Sequence, residues 1–182
     1  MTHHVIDTNV LVKANEPITP ETPLACAERC ARRLDGIREQ HIVVLDRQGE
    51  ILTEYRKRVI TQHPLPGSKF LKWLYTVQYN DDHWSVVDLD RNDDGEYTIF
   101  PDDADLHGFH DDDRKFVAVA LTHPSQPRVL NAVDSDWWTY QAVLERHGVV
   151  VDQLCPERLG RRQGRKKWRD RRGPGEPTQA VP

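Results

Sequence analysis

Apolar positions recur along the chain in two alternating rhythms. Short runs of consecutive apolar residues stand at 4–12, interrupted by Asp7-Thr8-Asn9, at Ile42 to Asp46, at Arg128 to Val133 and at Val149 to Val151. Runs of this length without polar alternation predict strands buried on both faces, as in a parallel sheet. Between them the apolar residues fall at helical spacing. Leu24, Ala27, Ala31, Leu34 and Ile37 make one stripe and predict a helix over 23–40. Further helices are predicted at 50–61, 68–79, 111–121 and 136–147. Arg47-Gln48-Gly49 reads as a turn into the helix that carries Glu54. Pro17, Pro20 and Pro23 mark a loop, and Pro64 and Pro66 end a helix. Trp84 to Asp90 and Glu96 to Phe100 predict two short strands around Asn92-Asp93-Asp94-Gly95, a hairpin turn. Helices alternating with short apolar strands predict an α/β chain. The expected architecture is a three-layer α/β/α sandwich with a central, mainly parallel sheet and a small acidic hairpin insertion.

Composition narrows the class. With 182 residues, 37% hydrophobic and 30% charged, the chain can build one domain with a sizeable core and polar extensions. No apolar run approaches the roughly 18 residues of a membrane span. The start, MTHHVIDTNV, lacks the features of a signal peptide, so a cytoplasmic protein without a membrane association is expected. The net charge of −4 hides a division. From Arg158 onward nine Lys or Arg face two acids, a net +7. Residues 1–157 hold 16 basic and 27 acidic residues, a net −11. This predicts a domain over 1–157 and a basic, flexible tail over 158–182. In that tail Arg161, Arg162, Arg165, Lys166, Lys167 and Arg169 are candidate contacts for nucleic-acid phosphates, with a solvated extension as the plain alternative. Cys26 and Cys30 lie one helical turn apart, and Cys155 is remote. Reduced, partly buried thiols are expected rather than a zinc knuckle.

The candidate chemistry lies in five acids. Asp7, Asp134 and Asp136 follow predicted strands, and Glu54 and Asp113 lie near the starts of predicted helices. In an open α/β sheet such positions converge beyond the carboxyl ends of the strands. Carboxylates gathered there repel one another, and a cation relieves the repulsion. An all-oxygen donor set favours Mg²⁺ or Mn²⁺ over zinc. Simpler uses exist for most: Asp111, Asp112 and Asp113 as helix caps, Glu54 as the partner of Arg58 one turn on, Asp134 and Asp136 as a turn and a cap. Asp7, within a short apolar strand, is harder to dismiss, because a buried Asp needs partners. Asp90-x-Asn92-x-Asp94-Gly95 mimics the start of a calcium loop, but its twelfth position is Pro101, so an acidic turn is expected. His3, His4, His107 and His110 show no ligand spacing and are expected at the surface, with a place near the site as the alternative for His110. Trp73, Tyr75, Tyr79 and Trp84 are expected in the core, with base stacking as the alternative. One of Trp137 and Trp138 is expected in the core.

At these acids the chain resembles the PIN-domain nucleases. The family opens with an Asp-Ser/Thr-Asn/Ser step after its first strand, here Asp7-Thr8-Asn9. Its second acid lies on the helix after the second strand, here Glu54. Its third opens a helix of apolar and small residues, here Asp113 followed by 114–120. Its last acids form Asp-x-Asp before an aromatic or apolar residue, here Asp134-Ser135-Asp136-Trp137. The family usually carries Thr before these acids, where this chain has Asn131-Ala132-Val133. The resemblance spans about residues 3–152. It implies a metal-dependent endoribonuclease in which Asp7, Glu54, Asp113 and Asp134 are catalytic and hold one or two Mg²⁺ or Mn²⁺ ions. Asp136 is a further ligand or outer acceptor, and Asn9 orients Asp7 or touches phosphate. RNA is the implied partner, ahead of single-stranded DNA. An inhibitor or activating protein partner, a homodimer, and a toxin–antitoxin or antiviral-defence setting are implied as well. A PIN-like nucleic-acid-binding or regulatory subunit, inactive alone, is the rival.

Overall fold

The computed structural model describes residues 1–17, 24–59 and 63–159; Pro20, Pro23 and the basic residues from Arg161 to Arg169 lie outside them. The strands are β1 (Thr2–Ile6), β2 (His41–Asp46), β3 (Trp84–Val87), β4 (Arg128–Asn131) and β5 (Val151–Gln153). They form one sheet in the order β3-β2-β1-β4-β5, and every pairing is parallel. β1 lies at the centre, so Val5 and Ile6 are fully buried. The same position buries His4, which was expected at the surface: a central strand covered on both faces has no wet side.

The helices α1 (Thr8–Ala14) and α2 (Leu24–Gln40) connect β1 to β2, and α3 (Glu50–Arg58) and α4 (Pro66–Thr76) lead to β3. Next, α5 (Arg114–Thr122) precedes β4, while α6 (Ser135–Thr139) and α7 (Gln141–Arg146) link β4 to β5. α1, α2 and α4 pack on one another, and α5 lies across β1, β2 and β4. Parallel crossovers are right-handed. Those from β1 through β3 step one way along the sheet and that from β4 to β5 steps the other, which places their helices on opposite faces. The result is a three-layer α/β chain. Among the described residues no helix is long and apolar enough to cross a membrane.

Several local expectations change. The strand predicted to reach Val12 stops at Ile6, because Asp7 caps a helix there. The predicted hairpin keeps its first strand, but that strand pairs with β2 in parallel, and only a bridge between Arg91 and Tyr97 joins the two arms. The helix predicted over 136–147 breaks at Tyr140 into α6 and α7. The last strand is shifted, to Val151–Gln153. Cys26 and Cys155, expected as reduced thiols, form a disulfide between α2 and the segment after β5, and Cys30 is the buried free thiol. Their separation of 129 residues hid this contact from any local pattern.

One close approach sets how α4 lies on α1. A Cβ placed on Gly67 would stand 2.1 Å from the Leu11 carbonyl oxygen. The Gly67 N–H donates to Asn15 Oδ1 at 2.8 Å across the same contact. Gly67→Ala is therefore expected to cost about 2 kcal/mol through forced separation of the two helices. A thermal melt checks this; an unchanged midpoint would show that the helices can part freely.

Candidate metal centre at the switch point of the sheet

β1 and β4 are neighbours whose connections leave the sheet in opposite directions. The chain opens a crevice at such a switch point, outside the carboxyl ends of the strands. Asp7 follows β1 directly, and Asp134 lies three residues beyond β4. The fold alone thus brings two acids 127 positions apart to one edge.

Asp7 is held on both oxygens. Oδ1 accepts the Asn9 backbone N–H at 2.9 Å, and Oδ2 accepts the indole N–H of Trp137 at 2.5 Å. Trp137 is itself fully buried, edge-on to Phe109. Asp7 is 4% exposed. Asp134 caps α6 by accepting the Asp136 N–H at 2.8 Å. Asp111–Asp113 form a 3₁₀ turn, and Asp113 opens α5 without a side-chain cap hydrogen bond. Asp7, Asp113 and Asp134 each offer a carboxylate oxygen, and these three lie within 4.8 Å of one another.

Such crowding has an electrostatic signature. Burial, then the adjacent Asp113 carboxylate, pushes Asp7 well above the ordinary carboxylate range, and Asp134 adds to this; the Asn9 and Trp137 donors oppose it. Burial, then Asp134, pushes Asp113 up to about 7, with Lys115 opposing. Two desolvated, mutually repelling carboxylates take up either protons or a cation. A second observation favours a ligand. Thr8, also on the cleft wall, is 4% exposed, and its hydroxyl oxygen has no hydrogen-bond partner among the described residues. A buried hydroxyl without a partner is costly. The all-oxygen donor set of the three carboxylates fits a hard divalent cation.

Glu54 reaches the same cleft by a different support. Asp46 is buried and accepts the Glu50 and Ile51 N–H groups at 2.6 and 2.9 Å, which fixes the start of α3. The Tyr55 hydroxyl donates to the Ile6 carbonyl and ties α3 to the end of β1. Glu54 stands outside the group of three carboxylates. Its ion partner is not Arg58 but Lys115, with Nζ 2.6 Å from Oε2. The cleft measures about 900 Å³, and Asp136, His110, Lys57 and Arg58 also line it. Of the four aromatic residues weighed for base stacking, Trp84 is buried, Tyr75 and Tyr79 are exposed, and none lines this cleft.

The Asn9 side chain does not hold Asp7; its backbone does. The Asn9 side-chain Nδ2 donates to Asn131 Oδ1 at 2.8 Å, and its Oδ1 accepts the Ala132 N–H at 2.8 Å. Asn131 was not singled out from the sequence, yet it organises the acidic loop. Fully buried, it donates to the Asp134 carbonyl at 2.8 Å and to Gln153 Oε1 at 2.7 Å, and accepts the Asp134 N–H at 3.1 Å. The only sequence signal was an Asn where the resembled family carries Thr. Asn131→Ala leaves several buried groups unpaired and is expected to cost about 2–3 kcal/mol. Urea unfolding measures this, and a loss below about 1 kcal/mol would mean that water replaces the amide. Thr8, Lys115 and Trp137 were likewise not assigned site roles from the sequence; Lys115 and Trp137 meet their acids, Glu54 and Asp7, across remote segments.

No family model matches the chain, and no curated protein and no solved structure matches it.

Proposed function

We propose that this chain is a metal-dependent endoribonuclease of the PIN-like kind. The observation that carries the reading is the trio Asp7, Asp113 and Asp134 at the switch point; Thr8, whose hydroxyl has no partner among the described residues, lines the same cleft. These three acids would hold a Mg²⁺ or Mn²⁺ ion. Glu54 and Asp136 complete the acidic wall. A cation bound there supplies Lewis-acid activation of a phosphate oxygen and of water.

The chain's own residues do the rest. The Asn9 N–H and the Trp137 indole fix the Asp7 carboxylate before any ligand arrives, so little reorganisation is needed when charge develops. Lys57, Arg58 and Lys115 in the cleft wall offset the repulsion between the carboxylates and a phosphodiester backbone. The basic tail, outside the described residues, adds sequence-independent attraction for phosphates.

The test is incubation of the full chain with single-stranded and structured RNA and DNA in Mg²⁺, Mn²⁺ or EDTA, beside an Asp7→Asn/Asp113→Asn control. Metal-dependent RNA cleavage lost in the control is the expected result. Cleavage confined to DNA would move the substrate class. Metal and RNA binding without cleavage would replace the proposal with a non-catalytic or partner-activated subunit.

A further inference from the structure

We infer that Lys115 takes the place of a second metal ion: the site holds one divalent cation on Asp7, Asp113 and Asp134, and the Lys115 ammonium is the fixed second cation, bound to Glu54. The inference rests on the metal-dependent reading above and settles how many ions that site takes.

Lysine is seldom buried, because its ammonium loses strong hydration. The Lys115 side chain is 9% exposed, yet it lines an open acidic cleft. Three contacts fix it there. Nζ lies 2.6 Å from Glu54 Oε2, donates to the Asp112 carbonyl, and sits 4.7 Å from the centre of the Phe116 ring. A lysine serving only solubility would extend into water. This one turns inward from the first turn of α5, two residues after Asp113.

Glu54 shows the complementary half of the arrangement. Like Glu50, Asp112 and Asp136 on the same wall it stands apart from the mutually close trio, and its charge is already met by an ammonium. Two-metal nuclease sites keep their ions about 3.5–4 Å apart and share carboxylates between them. Here a second divalent ion at Glu54 would have to displace or repel Lys115, which the surrounding protein holds in place. An ammonium has three donors. Among the described residues Glu54 and the Asp112 carbonyl take two, which leaves one N–H for a phosphate oxygen. Lys115 is therefore a positioning residue for Glu54 and a built-in positive charge for the phosphate.

The test counts bound Mn²⁺ per full-length chain by calorimetry and by electron paramagnetic resonance, in wild type, Lys115→Met, Lys115→Arg and Glu54→Gln. One ion is expected in wild type and in Lys115→Arg. Two are expected in Lys115→Met, because Glu54 is released. Glu54→Gln should keep one ion with affinity within about threefold of wild type. Should Lys115→Met fail to fold, Glu54→Gln and Lys115→Arg decide. Two ions in wild type falling to one in Glu54→Gln would overturn the inference, since Glu54 would then be a metal ligand. One ion in both wild type and folded Lys115→Met would overturn it and leave the nuclease reading standing. No ion in wild type would overturn both.

Discussion

Asp113→Asn is expected to abolish metal-dependent RNA cleavage while making the metal-free protein more stable. On the proposed reading Asp113 is a ligand to the cation, and losing it removes several kcal/mol of transition-state stabilisation, so the rate should fall about 10³-fold or more. Stability should move the other way, and the sign follows from linkage. The Asp113 carboxyl is pushed up to about 7 in the folded protein, chiefly by burial and then by Asp134, against roughly 3.9 in an unfolded chain. Between these values the unfolded chain has released the proton and the folded one still holds it. The contribution to stability is therefore complete in acid, below the unfolded value, and is lost as pH rises through about 7.

At pH 8 the wild type carries that penalty, and Asn does not. The metal-free variant should be more stable by about 2 kcal/mol, or roughly 4–8 °C in thermal midpoint. Mn²⁺ should raise the midpoint of wild type but not of the variant. Protons compete for the same oxygens, so the gain from Mn²⁺ in wild type should shrink as pH falls below about 7. Thermal melts from acid to alkaline pH, with and without MnCl₂, check all three statements. A metal-free variant less stable than wild type at pH 8 would show that Asp113 is held by hydrogen bonds and not strained by its neighbours.

Opening the Cys26–Cys155 disulfide should produce the largest loss of stability of any single covalent change. The bond spans 129 residues. Closing a loop of that size restricts the unfolded chain by about 4–5 kcal/mol on the chain-entropy account. Cys26→Ser, or treatment with a reductant, should lower the thermal midpoint by roughly 8–15 °C. Cys30→Ser keeps the cross-link and should show much less. Alkylation of unfolded protein followed by mass measurement reads the pairing directly. One modified cysteine is expected without reductant and three after reduction. Three without reductant, in protein kept in air, would refute the pairing. Bonds of this kind persist in oxidising surroundings and are opened by cellular thiol systems.

Much of the fold was legible because local physics governs it. The α2 stripe, the buried runs of β2 and β4, and the alternation of strand and helix are short-range patterns. They predicted a parallel α/β chain, and the five parallel strands agree. The misses share a cause. Asp7-Thr8-Asn9 looked like an interruption in one strand. It is instead a cap, in which the Asp7 carboxylate takes the Asn9 N–H and turns the chain into α1. Both readings use the same residues, and only the neighbour β4, which takes the Asp7 N–H at Leu130, selects between them. Trp84 to Val87 was rightly seen as a strand, but its partner was assigned by proximity in sequence and turned out to be β2.

The candidate site divides along the same line. The sequence by itself determined which carboxylates the chain has to offer, which strand ends and helix starts carry them, and that oxygen is their donor atom. Side-chain chemistry and local periodicity decide those matters. Only the tertiary structure decided that Asp7, Asp113 and Asp134 come within 4.8 Å of one another, that Glu54 instead meets Lys115, and that Asn131 and Trp137 hold the acidic loop in place. Only the tertiary structure paired Cys26 with Cys155 as well. These contacts join segments up to 130 positions apart, and their energies depend on burial and on distance through space, quantities that exist only once the sheet has assembled and the helices have covered it.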